Sequence, residues 1–115
     1  MTNIIYKIED AAIWAQAQAA GSYTGSPLDV ADGFIHLSSA EQVRETADKW
    51  FTGRTGMVLV HIDATILAST LKWEASRGGA LFPHNYGPLP MSAMIAVAPM
   101  MLDEAGKHIF GPDIA

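Results

Sequence analysis

One titratable side chain stands inside an apolar strand run in Phe34-Ile35-His36-Leu37, and the run passes straight into Ser38-Ser39-Ala40-Glu41, which has capping-box spacing. An imidazole buried there without a partner would cost about 2 kcal/mol or more, so the fold must bring His36 a partner from elsewhere. Strand alternation puts Phe34 and His36 on one face and Ile35 and Leu37 on the other. A strand passing into a helix start is also a place where backbone N–H groups receive an anion. The stretch therefore predicts a β–α junction in the core, with either a site at His36 or a core histidine tied to a backbone carbonyl.

The flanking residues order the rest of the chain. Ile4–Ile8 reads as a first strand, Asp10 as an N-cap, and Ala11–Ala20 as a helix with Ile13, Trp14 and Ala17 on one face, ended by Gly21. Gly21–Asp29 reads as a loop, and Val43, Ala47, Trp50 and Phe51 follow at helical spacing up to Gly53. Strands are expected at Met57–Ile62, Leu71–Ala75, Met94–Ala98 and His108–Phe110, with a short helical turn after Asp63. Leu81–Pro90, with three prolines, reads as too irregular for a central strand. The whole is one α+β domain over residues 1–115, with two main helices in its N-terminal half and a mostly β second half.

Composition narrows the function. With 115 residues, 50% of them hydrophobic and 17% charged, the chain is an ordered globule. It has no cysteine, which excludes disulfides, thiol nucleophiles and cysteine-bound zinc. Seven Lys and Arg are scattered through a chain of net charge −5, so extended nucleic-acid contact is not expected. No basic segment leads into an apolar run at the N-terminus, and the longest apolar run, residues 93–102, is interrupted by Pro99; a cytoplasmic protein without membrane contact is expected. Six methionines, among them Met91, Met94, Met100 and Met101, suit core filling or an adaptable contact surface.

The chemistry concentrates in three places besides Asp32, which can orient the His36 ring or serve the Asp-Gly turn, and Ser38, which can bond a ligand or cap the helix. His84 lies in Phe82-Pro83-His84-Asn85-Tyr86-Gly87-Pro88-Leu89, where prolines and a glycine stiffen the display of a histidine and a stacking aromatic, Tyr86. Trp73-Glu74 sets a carboxylate beside an indole, a pattern for a general base, although alternation more commonly sends such a tryptophan inward and its glutamate to water. His61 reads as structural, His108 near the C-terminus carries no signal, and no histidine or carboxylate spacing points to a metal.

Asp32-Gly33-Phe34-Ile35-His36-Leu37-Ser38, Leu71-Lys72-Trp73-Glu74 and Leu81–Leu89 together resemble the bacterial family called domain of unknown function 952, over nearly the whole chain. More distantly, Ile35-His36-Leu37-Ser38 and the helix after it are similar to the His-x-His-Leu-Ser segment of RNA 2′-phosphotransferases, members of the ADP-ribosyltransferase superfamily. That resemblance implies a small split β-sheet core with a NAD-binding cleft and His36 beside the nicotinamide or its ribose. At the first strand Tyr6-Lys7-Ile8 stands where that superfamily carries a His-Gly-Thr-like triplet, so the resemblance bears on the fold more than on the reaction. The resulting expectation is a small-molecule site with His36, His84 and Glu74 in catalytic roles and Asp32, Ser38, Tyr86 and Trp73 holding NAD or a related nucleotide, on a monomer or weak dimer. The alternative is a non-catalytic ligand-binding or protein-interaction module on the same fold.

Overall fold

In the computed structural model, which describes residues 3–111, the chain runs β1 (Ile4–Asp10), α1 (Ala11–Ala20), β2 (Ser22–Tyr23), α2 (Pro27–Asp32), β3 (Ile35–His36), β4 (Ser38–Ser39), α3 (Val43–Trp50), β5 (Met57–Asp63), β6 (Leu71–Ala75), β7 (Leu81–Asn85), β8 (Leu89–Pro90), β9 (Met94–Pro99), β10 (Met101–Leu102) and β11 (His108–Ile109). A 3-10 turn at Ala64–Leu67 follows β5, started by the Asp63 carboxylate accepting from Thr65 N. This is a mixed fold of several small antiparallel sheets and three helices.

Two sheets matter for the site. The larger has the order β4-β1-β5-β9, with Ile5 opposite Ile62 and Ile8 opposite Leu59; the smaller has the order β3-β7-β6. Strand β1 is buried on both faces because alternate residues enter different cores. Ile5, Val60 and Ile62 pack with Trp14 and Ala17 of α1, while Tyr6, Ile8 and Leu59 pack with Val43 and Ala47 of α3. Met100 fills the second core, whereas Met101 is exposed.

The helix that follows β1 starts as its sequence dictates: Asp10 accepts from Ala12 N and Ile13 N, and Gly21 ends it in the left-handed region at φ 88°. Four readings need correction. The supposed loop from Gly21 to Asp29 contains β2 and the start of α2, because Ser26-Pro27-Leu28-Asp29 is itself a complete capping box with proline in the first turn. Ser38 caps nothing: it pairs with Tyr6 in β4, its hydroxyl meets Thr46 Oγ1 at 3.1 Å, and α3 begins only after Gln42. That helix ends at Trp50 with Phe51, not Gly53, at its C-cap.

Leu81–Asn85 is the central strand of the small sheet despite Pro83. The proline's carbonyl accepts from Leu37 N at 3.1 Å, so its N–H-less nitrogen faces the side where β3 has already ended, and the ladder to β6 loses nothing. Met94–Pro99 and His108–Ile109 are strands as expected.

Gly25 positions α2. It sits at φ 110°, and a Cβ there would lie 2.7 Å from the Asp29 Cβ. Gly25→Ala should lose about 1–3 kcal/mol of stability in a urea titration, against about 1 kcal/mol for Gly21→Ala, whose surroundings are open. Equal losses would mean that the Gly25–Asp29 approach does not constrain the fold.

Candidate functional site

The two sheets share one strand connection and then part. Strand β4 covers β1 only at Ile5 and Tyr6, and one residue upstream, at Leu37, the chain crosses to β3 on the other sheet. From Lys7 onward the β4-side edge of β1 borders a cleft of about 670 Å³. Its walls are apolar, from Ile13, Leu28, Trp50, Phe51 and Phe82, and polar groups reach it from Lys7, Asp29, His36, Ser38 and His84. Trp50 is 61% exposed, an unusual state for an indole on a helix that otherwise buries its apolar face.

Asp29, 2% exposed, is the hub of a buried array. Its Oδ2 receives Lys7 Nζ at 2.9 Å and Ser26 N at 2.9 Å; its Oδ1 receives His36 N at 3.1 Å and meets His36 Nδ1 at 2.6 Å. Lys7 Nζ also donates to the His36 carbonyl at 2.9 Å. Burial pushes the Asp29 carboxyl up, but the His36 hydrogen bond and the Lys7 ammonium outweigh it and hold the group below the usual carboxylate range. Beside it, the Tyr23 hydroxyl donates to Glu9 Oε2; burial first, and then that bond, push the phenol above its ordinary value.

His36 is held from both ends, since Nε2 lies 3.0 Å from Asp32 Oδ2. Both contacts are hydrogen bonds only when both ring nitrogens carry protons.

In the small sheet, His36, His84 and Lys72 stand opposite one another across β3, β7 and β6, which puts Phe34, Glu74 and Tyr86 on the same face. The Phe34 ring lies 4.5 Å from His36, 4.2 Å from His84 and 5.3 Å from Tyr86, centroid to centroid. Glu74 Oε1 accepts from the Tyr86 hydroxyl at 2.7 Å and meets His84 Nδ1 at 2.9 Å. The Tyr86 bond, then the His84 bond, draw the Glu74 carboxyl down, and the same Glu74 contact raises the Tyr86 phenol.

Of the residues singled out from the sequence, His36, Ser38 and His84 line the cleft. Asp32, Glu74 and Tyr86 lie outside its lining, Asp32 against the His36 ring and Glu74 between Tyr86 and His84. Trp73 occupies the opposite face of β6 from Glu74, 47% exposed, away from this group. His61 sits edge-on to Tyr6 at 5.0 Å and His108 Nε2 bonds the Arg54 carbonyl at 2.9 Å, both within the scaffold.

Sequence reasoning missed Lys7, Glu9, Tyr23, Asp29, Trp50 and Arg54. Two of these had a signal: Lys7 is as isolated among apolar strand residues as His36, and Asp29 completes the Ser26 capping box. Arg54, whose guanidinium stacks 5.4 Å above the Phe51 ring at the cleft, had none.

These features define a mixed α/β domain with a polar-floored cleft where its two larger sheets part. The chain belongs to the family described as "Protein of unknown function (DUF952)", whose match spans residues 8–97. It is similar to the crystal structure of protein CC0527 from Caulobacter crescentus, at 50% identity and TM-score 0.92 over 96% of this chain and 97% of that one. The solution NMR structure of the same protein gives 52% identity and TM-score 0.82 over 90% of each chain. No curated protein matches. Among the described residues no helix is long and apolar enough to cross a membrane.

Because folding lowers the Asp29 carboxyl, the folded state binds fewer protons than the unfolded chain between the folded value and the unfolded value of about 4. The resulting stability is complete above that unfolded value and is lost as pH falls toward the folded one. Asp29→Asn should therefore flatten the acid limb of a stability–pH curve below about pH 5. Asp29→Ala should cost about 3–5 kcal/mol, by stranding Lys7. An acid limb in Asp29→Asn as steep as that of the parent would contradict this assignment.

Proposed function

We propose that the cleft binds NAD or a related nucleotide and that the domain is ADP-ribosyltransferase-like. The observation that carries this reading is the buried Lys7–Asp29–His36 array at the floor of the cleft. Burying these charges costs several kcal/mol per ion before pairing returns any of it, and apolar residues of equal volume would hold the strands together at least as well. An array kept at that cost on the floor of a cleft supports a role in holding a polar ligand. The cleft volume is that of a small-molecule site. Trp50 and Phe51 offer aromatic faces to a base, Arg54 a cation to a phosphate, and Glu9 and Ser38 polar partners to ribose hydroxyls. Parted sheets with a histidine-bearing strand beside the gap are also what the resemblance to RNA 2′-phosphotransferases implies. The scattered cations favour a small nucleotide over an RNA.

A second reading, binding without turnover, is favoured by one observation: both His36 nitrogens are already engaged by carboxylates, which suits a fixed polar contact better than a proton carrier.

Millimolar NAD or ADP-ribose should raise the melting temperature of the parent by several degrees, a gain of about 1 kcal/mol corresponding to about 4 °C in a domain of this size. His36→Ala should lose the shift. No shift, or an equal shift in the variant, rejects the nucleotide site. Release of nicotinamide on incubation with NAD, lost in His84→Ala, supports the transferase; binding with no release supports the second reading.

A further inference from the structure

We infer that Glu74 is a positioning residue that holds His84 as the Nδ1–H tautomer, so that His84 rather than His36 is the proton acceptor of the cleft. The inference rests on the reading of the cleft as a ligand site and divides the work between its two histidines. They stand side by side, ring centroids 5.6 Å apart, yet they are held differently. His36 has a carboxylate at each nitrogen, Asp29 at Nδ1 and Asp32 at Nε2, so neither nitrogen is open to a ligand while those contacts last. His84 is buried in the central strand with Nδ1 directed to Glu74 Oε1 and its ring lining the cleft. A ring that donates from Nδ1 to a carboxylate carries its lone pair on Nε2.

Glu74 is in turn fixed. The Tyr86 hydroxyl donates to the same oxygen at 2.7 Å, and Phe34 packs on the rings of His84 and Tyr86, so the order is Tyr86, Glu74, His84, cleft. The charged and titratable groups around His84 are His36 on β3, Lys72 and Glu74 on β6, and Tyr86 just past the end of its own strand. The Lys72 ammonium is drawn over the Tyr86 ring, 5.0 Å from its centroid. The chemistry supplied is transfer of one proton from a hydroxyl of the bound ligand, or from a water, to His84 Nε2. The oxygen keeps its electron pair and becomes the nucleophile, and the imidazolium that forms keeps its Nδ1–H on Glu74.

Long-range proton–nitrogen NMR on nitrogen-labelled protein reads the tautomer directly. In the parent, above the range in which the ring is protonated, His84 Nδ1 should appear as the protonated nitrogen and Nε2 as the bare one. Glu74→Ala should move the proton toward Nε2. Glu74→Gln, which keeps an acceptor oxygen, should restore the parent pattern. A parent His84 protonated at Nε2, or a Glu74→Ala spectrum unchanged from the parent, overturns the inference. Added ADP-ribose separates this from the parent reading: if no cleft resonance moves, the nucleotide site fails while the tautomer still decides this assignment. If His36 and Ser38 respond but His84 Nε2 does not, His84 is not the proton acceptor. Where NAD is turned over, Glu74→Ala should lower the rate about ten-fold or more with little change in half-saturation, and Glu74→Gln should recover much of it.

Discussion

The Asp29 carboxylate is the point on which the arrangement turns. It comes from a two-turn segment, α2, that has little to hold it in place otherwise: Leu28 and Val30 on the same helix are exposed. Through Lys7 it ties α2 to the middle of β1, and through the His36 backbone and ring it ties α2 to the strand that leaves one sheet for the other. A salt bridge on the surface would contribute little. Here the partners are buried and every acceptor site on the carboxylate is used, so removing one leaves a charge stranded in the interior. The cleft lies where the sheets part at Leu37, and Asp29 ties α2 to a strand of each sheet beside that parting.

That constraint makes the two histidines unequal. Alternation in β3 and pairing to β7 place them as neighbours on one face, where they look like an equivalent pair. Their second contacts separate them. His36 belongs to the buried charge array and is locked; His84 belongs to the Tyr86–Glu74 chain on the rim and has one nitrogen to spare. A locked polar ring and a positioned basic one, 5.6 Å apart, form a more useful pair than two equivalent ones.

Much of the scaffold was legible because it is written locally. Asp10 and Gly21 bracket α1, alternation assigns the faces of Phe34–Leu37, and Met57–Ile62 reads as strand by composition, one residue short of the observed end at Asp63. What was not legible depended on partners far along the chain. Pro83 in a central strand is readable only once β3 is known to stop at His36, and Ser38 looks like a cap until Tyr6 claims its backbone. The site divided in the same way. His36 and His84 stood out as titratable residues in apolar or rigid settings, but the residue that joins them to β1, Asp29, lay inside what looked like a polar loop. Trp73 was drawn in by its neighbour Glu74, and strand alternation puts the two on opposite faces.

The central claim is that the buried Lys7–Asp29–His36 array, besides tying α2 to β1, serves a ligand. Isothermal titration of ADP-ribose into the parent and into Lys7→Met, which keeps the length and apolar body of the side chain, tests it most directly. The account predicts measurable heat and saturation for the parent, and a loss of affinity of about ten-fold or more in a Lys7→Met protein that remains folded. Equal affinity in the two proteins, or no binding to the parent, would contradict it.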